Sequence, residues 1–118
     1  MTATDVITKC DRLKPNIYSH SQKREWLNNI EAKIRQYASM YAENIGDHTF
    51  ETEENPTLFL PECKADIYVY YLISMIDLSN QEYGLYNNSA SYYNNELKTW
   101  KCEYRRQNIP LTSTTIKT

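Results

Sequence analysis

Glycine and proline are scarce in this chain, two and four among 118 residues. That scarcity argues against a many-turned all-β architecture, which needs these residues at most of its corners. An excess of charge is lacking as well. The formal net charge of -2 leaves no electrostatic footprint for non-specific nucleic-acid binding. No stretch is long and apolar enough to span a bilayer. The first ten residues lack a basic start followed by an apolar run, so no secretory signal is expected. Cysteine is sparse and odd in number: Cys10, Cys63 and Cys102 are widely spaced and form no C-x-x-C pair. Free thiols in a reducing compartment are expected rather than a disulfide framework. With His20 and His48 these thiols have no ligand spacing, so no metal site is expected.

The patterns that carry catalysis are missing too. There is no G-x-S-x-G, no Gly-rich phosphate loop and no H-E-x-x-H. Asp77 and Glu82 are five residues apart and do not share a helical face, while Glu62 and Asp66 suit the dipole of a helix's first turn. The expectation is a chain with no catalytic residue and no cofactor.

What is abundant is tyrosine, with 11 copies. The stretch from Glu62 to Gln107 has no Pro, and its apolar residues keep one helical phase: Val69, Leu72, Ile76, Tyr83, Tyr86, Ala90, Tyr93, Leu97, Trp100, Tyr104. Tyr and Trp carry a large ring and a polar tip, so such a seam serves as core or as contact surface. One helix over the whole stretch would be ~69 Å long. A compact chain of this size is only ~35 Å across. The pattern Ser79-Asn80-Gln81-Glu82 reads as a capping box and predicts the break there, giving helices over Glu62–Leu78 and Asn80–Gln107. The preserved phase leaves a kinked continuous helix open.

Upstream, Thr4 to Arg12 reads as a short amphipathic helix with Thr2 or Thr4 as its cap, ended by Pro15. A second capping box, Ser19 to Gln22, opens a helix from about Ser21 to Asn44, whose apolar positions are Trp26, Leu27, Ile30, Ile34, Tyr37, Ala38 and Tyr41. Glu31 and Arg35 form an i,i+4 pair expected on its outer face, and Gly46 offers a stop. Residues 45–61 lose helical periodicity. They form a long loop with an acidic run, Glu51-Thr52-Glu53-Glu54, and an extended apolar piece, Thr57 to Pro61, with room for a small hairpin at most. Beyond Asn108 a Thr-rich tail is expected to be extended or disordered. The whole is an expected all-α bundle of about four helices, with a single domain over 1–108 and a tail over 109–118.

Two polar features stand beside the seam. Lys98, Lys101, Arg105 and Arg106 crowd the end of the last helix, where cations favour the dipole. Asn80, Asn87 and Asn94 recur every seven residues, a spacing at which side-chain amides set register between packed helices. Candidate contact residues are therefore Tyr83, Tyr86, Asn87, Tyr93, Asn94, Trp100 and Tyr104. On the residues alone, a soluble helical module that binds or regulates a partner through its Tyr-rich helix fits this pattern.

Asp66-Ile67-Tyr68-Val69-Tyr70-Tyr71-Leu72, then Met75-Ile76-Asp77, Asn80, Glu82-Tyr83 and Tyr86-Asn87-Asn88-Ser89 carry a resemblance. They look like the central signature of the head-tail adaptor (head-completion, connector) proteins of tailed phages and prophages of Gram-positive bacteria. Leu13-Lys14-Pro15-Asn16, Tyr18-Ser19, Gln22-Lys23 and Trp26-Leu27 are similar to that family's entry into its second helix. The likeness covers about Asp5 to Arg106, and departs at Gln81, where a small residue is expected, and at Gly84-Leu85, where Ala and a basic residue are common. It implies an all-helical virion subunit at the head-tail interface, held in the host cytoplasm before assembly. Such a subunit forms a homo-oligomeric ring, a dodecamer, beneath the portal protein. The ring extends the DNA channel and docks the tail-proximal stopper or head-closure protein, while DNA passes without sequence-specific binding. A channel that must not grip DNA should avoid a basic lining. Glu51, Glu53 and Glu54 are accordingly the expected channel-facing residues.

Overall fold

A computed structural model describes residues 1–42 and 54–108. Four α-helices follow in order: α1 (Ala3–Leu13), α2 (His20–Ala38), α3 (Ala65–Ser79) and α4 (Tyr83–Gln107), with a 3-10 turn at Glu62–Lys64 ahead of α3. The all-α bundle expected from the periodicity is the architecture found. Among the described residues there is no strand, only an isolated antiparallel bridge between Thr2 and Thr57. The expected hairpin and the Gly46 stop fall largely or wholly in residues 43–53, outside the described residues, as does the whole tail from 109.

The first two helices start for a local reason. Thr2 caps α1 with a full capping box, its hydroxyl accepting from the Asp5 amide and the Asp5 carboxylate accepting from the Thr2 amide. The bond from the Thr2 amide, and next the Thr2 side chain, hold the Asp5 carboxyl below its usual pKa. Ser19 caps α2 by accepting from the Gln22 amide at 3.0 Å. Between the two helices, Asn16 donates to Asp11 and to the Lys14 carbonyl and accepts from the Tyr18 amide, fixing the Pro15 corner.

The helix α3 is the axle. Its buried residues lie on every side, including Ile67, Tyr68, Val69, Tyr71, Leu72, Ile73 and Ile76, as expected of a helix that is apolar all round. The helices α1, α2 and α4 each pack against it. α1 presents Val6, Ile7 and Cys10, and α2 presents Leu27, Ile30 and Ile34. Leu58 and Leu60, from the extended piece after the acidic run, complete the same core. Burying each of these aliphatic chains stabilises the fold by about 1.5–3 kcal/mol.

Three expectations need correction. First, the break between α3 and α4 is not the Ser79 capping box. Ser79 is the last residue of α3, and Gln81 takes the left-handed conformation at φ 62. Its amide donates to the Leu78 carbonyl and the Glu82 amide to the Asp77 carbonyl, at 3.0 and 2.9 Å. This is a Schellman C-cap in which Gln occupies the position that usually takes Gly. The helix α4 then begins at Tyr83 with no side-chain cap.

Second, α2 ends at Ala38 rather than near Asn44. Residues 39–41 only turn, with the Met40 amide bonding Tyr37 and the Tyr41 amide bonding Ala38. Third, Glu31 is not on an outer face. It is 0% exposed, accepting from Arg35 Nε at 3.0 Å, from the Phe59 amide at 2.8 Å and from the Tyr68 hydroxyl at 2.5 Å. The Leu60 amide in turn donates to Tyr68. A buried carboxylate thus ties the 58–60 segment to α2 and α3, replacing lost hydration with four linked hydrogen bonds.

Candidate contact surface

α4 is 25 residues long, about 37 Å, and only Ser89 and Trp100 on it are buried. The rest of its surface is half-buried or open because α3 is its main support. The two buried residues show how it is held. Ser89 Oγ donates to Asp77 Oδ2 at 2.8 Å, joining the second turn of α4 to the end of α3. Asp77 is 2% exposed, and its other oxygen lies 2.7 Å from Lys14 Nζ. Lys14 also reaches Glu82 at 3.4 Å, and the bond to Asp77 raises its pKa above the usual lysine range. Two ion pairs sharing Lys14 therefore join the α1–α2 corner, α3 and the start of α4.

The predicted seam divides into two halves. Trp100, 5% exposed, lies among Tyr37, Phe59 and Tyr104, with ring centroids 5.7, 6.4 and 5.1 Å away. Tyr104 is half-buried and meets Phe59 edge-on. Tyr93 is half-buried edge-on to Tyr71 at 5.2 Å, and burial raises both phenol pKa values. These three rings are engaged within the chain. Towards the start of α4 the seam opens: Tyr83 is 59% exposed, Tyr86 is half-buried, and Asn87 and Asn94 are exposed. Asn80, the first of the heptad amides, accepts from the Tyr18 hydroxyl at 2.7 Å and so serves within the chain.

A second row on α4 escaped the sequence reading, although its spacing was legible: Leu85, Asn88 and Tyr92 recur at three and four residues. Leu85 is 47% exposed. Tyr92 stacks on Tyr70 of α3, with centroids 4.3 Å apart and planes at 11°, and donates to Asp66. These residues wall an open groove of about 360 Å³, with Ile73 and the Lys14–Asp77 pair at its base. The groove's charges are committed to each other, and its walls offer rings and methyl groups.

Further apolar groups stand exposed where the α1–α2 corner meets the α3–α4 turn: Leu13, Leu78 and, at 96% exposed, Ile17. Comparison of the chain with protein families, with curated proteins and with solved structures gave no match. The geometry thus stands by itself. Of the acidic run, only Glu54 is among the described residues. It is exposed and shares a shallow depression with Thr4, His20 and Arg24, near the starts of α1 and α2. Cys10 is buried, and burial pushes its thiol pKa up to about 12. Among the described residues no group of three or more His, Cys, Asp or Glu could hold a metal ion. No helix among them is long and apolar enough to cross a membrane.

Proposed function

We propose that this chain is a structural assembly subunit of the head-tail adaptor type, a non-catalytic building block that forms a ring under a portal protein. In this reading the ring extends the DNA channel and offers its other side to a tail-proximal stopper or head-closure protein. One observation carries the reading beyond the sequence resemblance. α4 is clasped rigidly to α3 at Ser89–Asp77 while its first half leaves Tyr83, Leu85 and exposed asparagines open. Rigid presentation of rings with few rotatable bonds lowers the entropy cost of association. The contact residues in this reading are Tyr83, Tyr86, Asn87 and Asn94, joined by Leu85, with Tyr93, Trp100 and Tyr104 supporting the helix from within. Glu51, Glu53 and Glu54 belong to the channel side or its margin.

The test is mass photometry and negative-stain microscopy of the purified chain, alone and with portal rings. Annular particles, or portal rings with added density of fixed stoichiometry, support the reading. A chain that stays monomeric, ignores the portal and binds one partner through α4 would instead be the soluble interaction module.

A further inference from the structure

The turn that folds α4 back onto α3 is one the local sequence does not demand. Gln81 stands in the left-handed region at φ 62, which a residue with a Cβ enters at a cost. α4 then begins at Tyr83 with no side-chain cap, so its first amides have no acceptor within the helix. Yet Ser79, Asn80, Gln81 and Glu82 include neither Gly nor Pro, and all four are exposed. A straight helix through them would bring Gln81 back to the right-handed region. It would also give the first amides of α4 the carbonyls four residues before them.

The contacts between α3 and α4 suit the straight form as well as the folded one. Asp77 meets Ser89, Tyr71 meets Tyr93, Tyr70 meets Tyr92 and Lys64 meets Glu103. The midpoint of each pair falls at or beside Glu82, as an antiparallel pairing centred there requires. The two members of a pair also share a side of one straight helix. Tyr70 and Tyr92 are 22 residues apart, as are Tyr71 and Tyr93, which is about six full turns. Ile67 and Glu96, which line one crevice, are 29 apart, about eight turns. Two straight helices laid antiparallel and crossing at Glu82 therefore remake these pairs between copies. Leu13, Ile17 and Leu78 stand exposed at this same end of the molecule. In the crossed pair the two such ends face each other, so these side chains gain an apolar cover.

We infer that α4 is an exchangeable arm whose second acceptor is α3 of another copy of this chain. The 79–82 turn straightens, α3 and α4 run on as one helix, and two chains trade α4 reciprocally. Exchange of an identical element keeps the native contacts and replaces only the turn, which makes it a low-cost route to a symmetric dimer. Two surface contacts latch the folded-back form: the Tyr18 hydroxyl donates to Asn80 at 2.7 Å, and Lys14 reaches Glu82 at 3.4 Å. Straightening carries Glu82 away from Lys14, while Asp77 stays on α3 and keeps its own bond to that lysine. The exchange goes beyond the assembly reading above and holds whether or not a portal is the partner.

The experiment holds the full chain at millimolar concentration near its melting temperature and then cools it, so that α4 unclasps and finds either acceptor. Sedimentation velocity measures the dimer, and circular dichroism checks that each variant is folded. Nitroxide labels go on Cys63, which is exposed, and Cys102, which is partly exposed, while Cys10 is buried. Dimers are formed with an excess of unlabelled Cys63→Ser, Cys102→Ser chain, so that pulsed dipolar spectroscopy reads the distance within one copy. In the monomer that distance is short, because the neighbouring Lys64 and Glu103 are paired at 2.7 Å. In the exchanged dimer it should grow to about 58 Å, the length of one helix from Cys63 to Cys102. Gln81→Gly is easy in the turn and poor inside a helix. It should weaken the dimer about tenfold per turn, hence about a hundredfold for the two turns. Glu82→Ala releases the latch and favours the helix, and should strengthen the dimer about threefold or more. A dimer whose labels stay close is a surface contact between intact hairpins and would overturn the inference. So would a Gln81→Gly chain that dimerises as well as wild type, or wild type and Glu82→Ala both remaining monomeric throughout.

Discussion

Replacing Glu31 by Ala probes the buried carboxylate that fastens the 58–60 segment. Its two oxygens accept from Arg35, the Phe59 amide and the Tyr68 hydroxyl, and it has no contact with solvent. Removing it leaves the Phe59 amide and the Tyr68 hydroxyl without their acceptor. Each buried donor so orphaned costs about 1–3 kcal/mol. Arg35 adds less, since its side chain is partly exposed and can turn to water. The sum, about 3–5 kcal/mol, matches what is lost when one partner of a buried charge pair is deleted. It is a large share of a typical stability of about 5–15 kcal/mol. Urea unfolding followed by far-ultraviolet circular dichroism at pH 7 measures it. Glu31→Gln should lose less, because one carbonyl oxygen remains to accept. A double-mutant cycle with Tyr68→Phe should show a coupling of about 1 kcal/mol or more. Amide exchange at Phe59 and Leu60 should accelerate in Glu31→Ala ahead of exchange in α3. A loss under about 1 kcal/mol, or a cycle additive within about 0.3 kcal/mol, would refute the network as the fastening of this segment.

Gln81→Gly should stabilise the chain by about 0.5–1 kcal/mol, because Gly adopts the left-handed C-cap conformation without a Cβ clash; a lower melting temperature would contradict the Schellman assignment. Trp100→Ala should cost about 3–5 kcal/mol in chemical unfolding. Tyr83→Ser with Leu85→Ser should change stability by no more than about 0.5 kcal/mol per site, yet abolish ring formation on the portal; retained rings would exclude this face. For pH, burial raises the Cys10 thiol and the Tyr68 phenol in the folded chain. Groups with raised folded pKa values contribute fully below their unfolded pKa and lose that contribution as pH rises through the folded value. With unfolded values of 9.0 and 10.0, urea midpoints should hold to about pH 9 and then fall, each ionising group adding a slope of about 1.4 kcal/mol per pH unit. A flat profile to pH 11 would contradict the burial of both.

The helices were legible because their causes are local. The capping box of Thr2 with Asp5, the Ser19 cap and the apolar positions of α1, α2 and α3 all act within a few residues, so the sequence carried the all-α class. The break near Ser79 was legible as a place and misread as a mechanism. A Ser-x-x-Glu pattern announces a cap, but the Schellman bonds of Gln81 and Glu82 arise only once Gln81 turns left-handed. The fate of the long aromatic seam depended on tertiary structure. Periodicity says which side a residue faces and not what covers that side: Trp100 and Tyr83 share one stripe, yet Phe59 and Tyr37 roof the first and nothing among the described residues roofs the second. Glu31 shows the same limit most clearly. Beside Arg35 it reads as a solvated pair, and only Phe59 and Tyr68, 28 and 37 residues away, make it the buried acceptor that a low-dielectric interior requires.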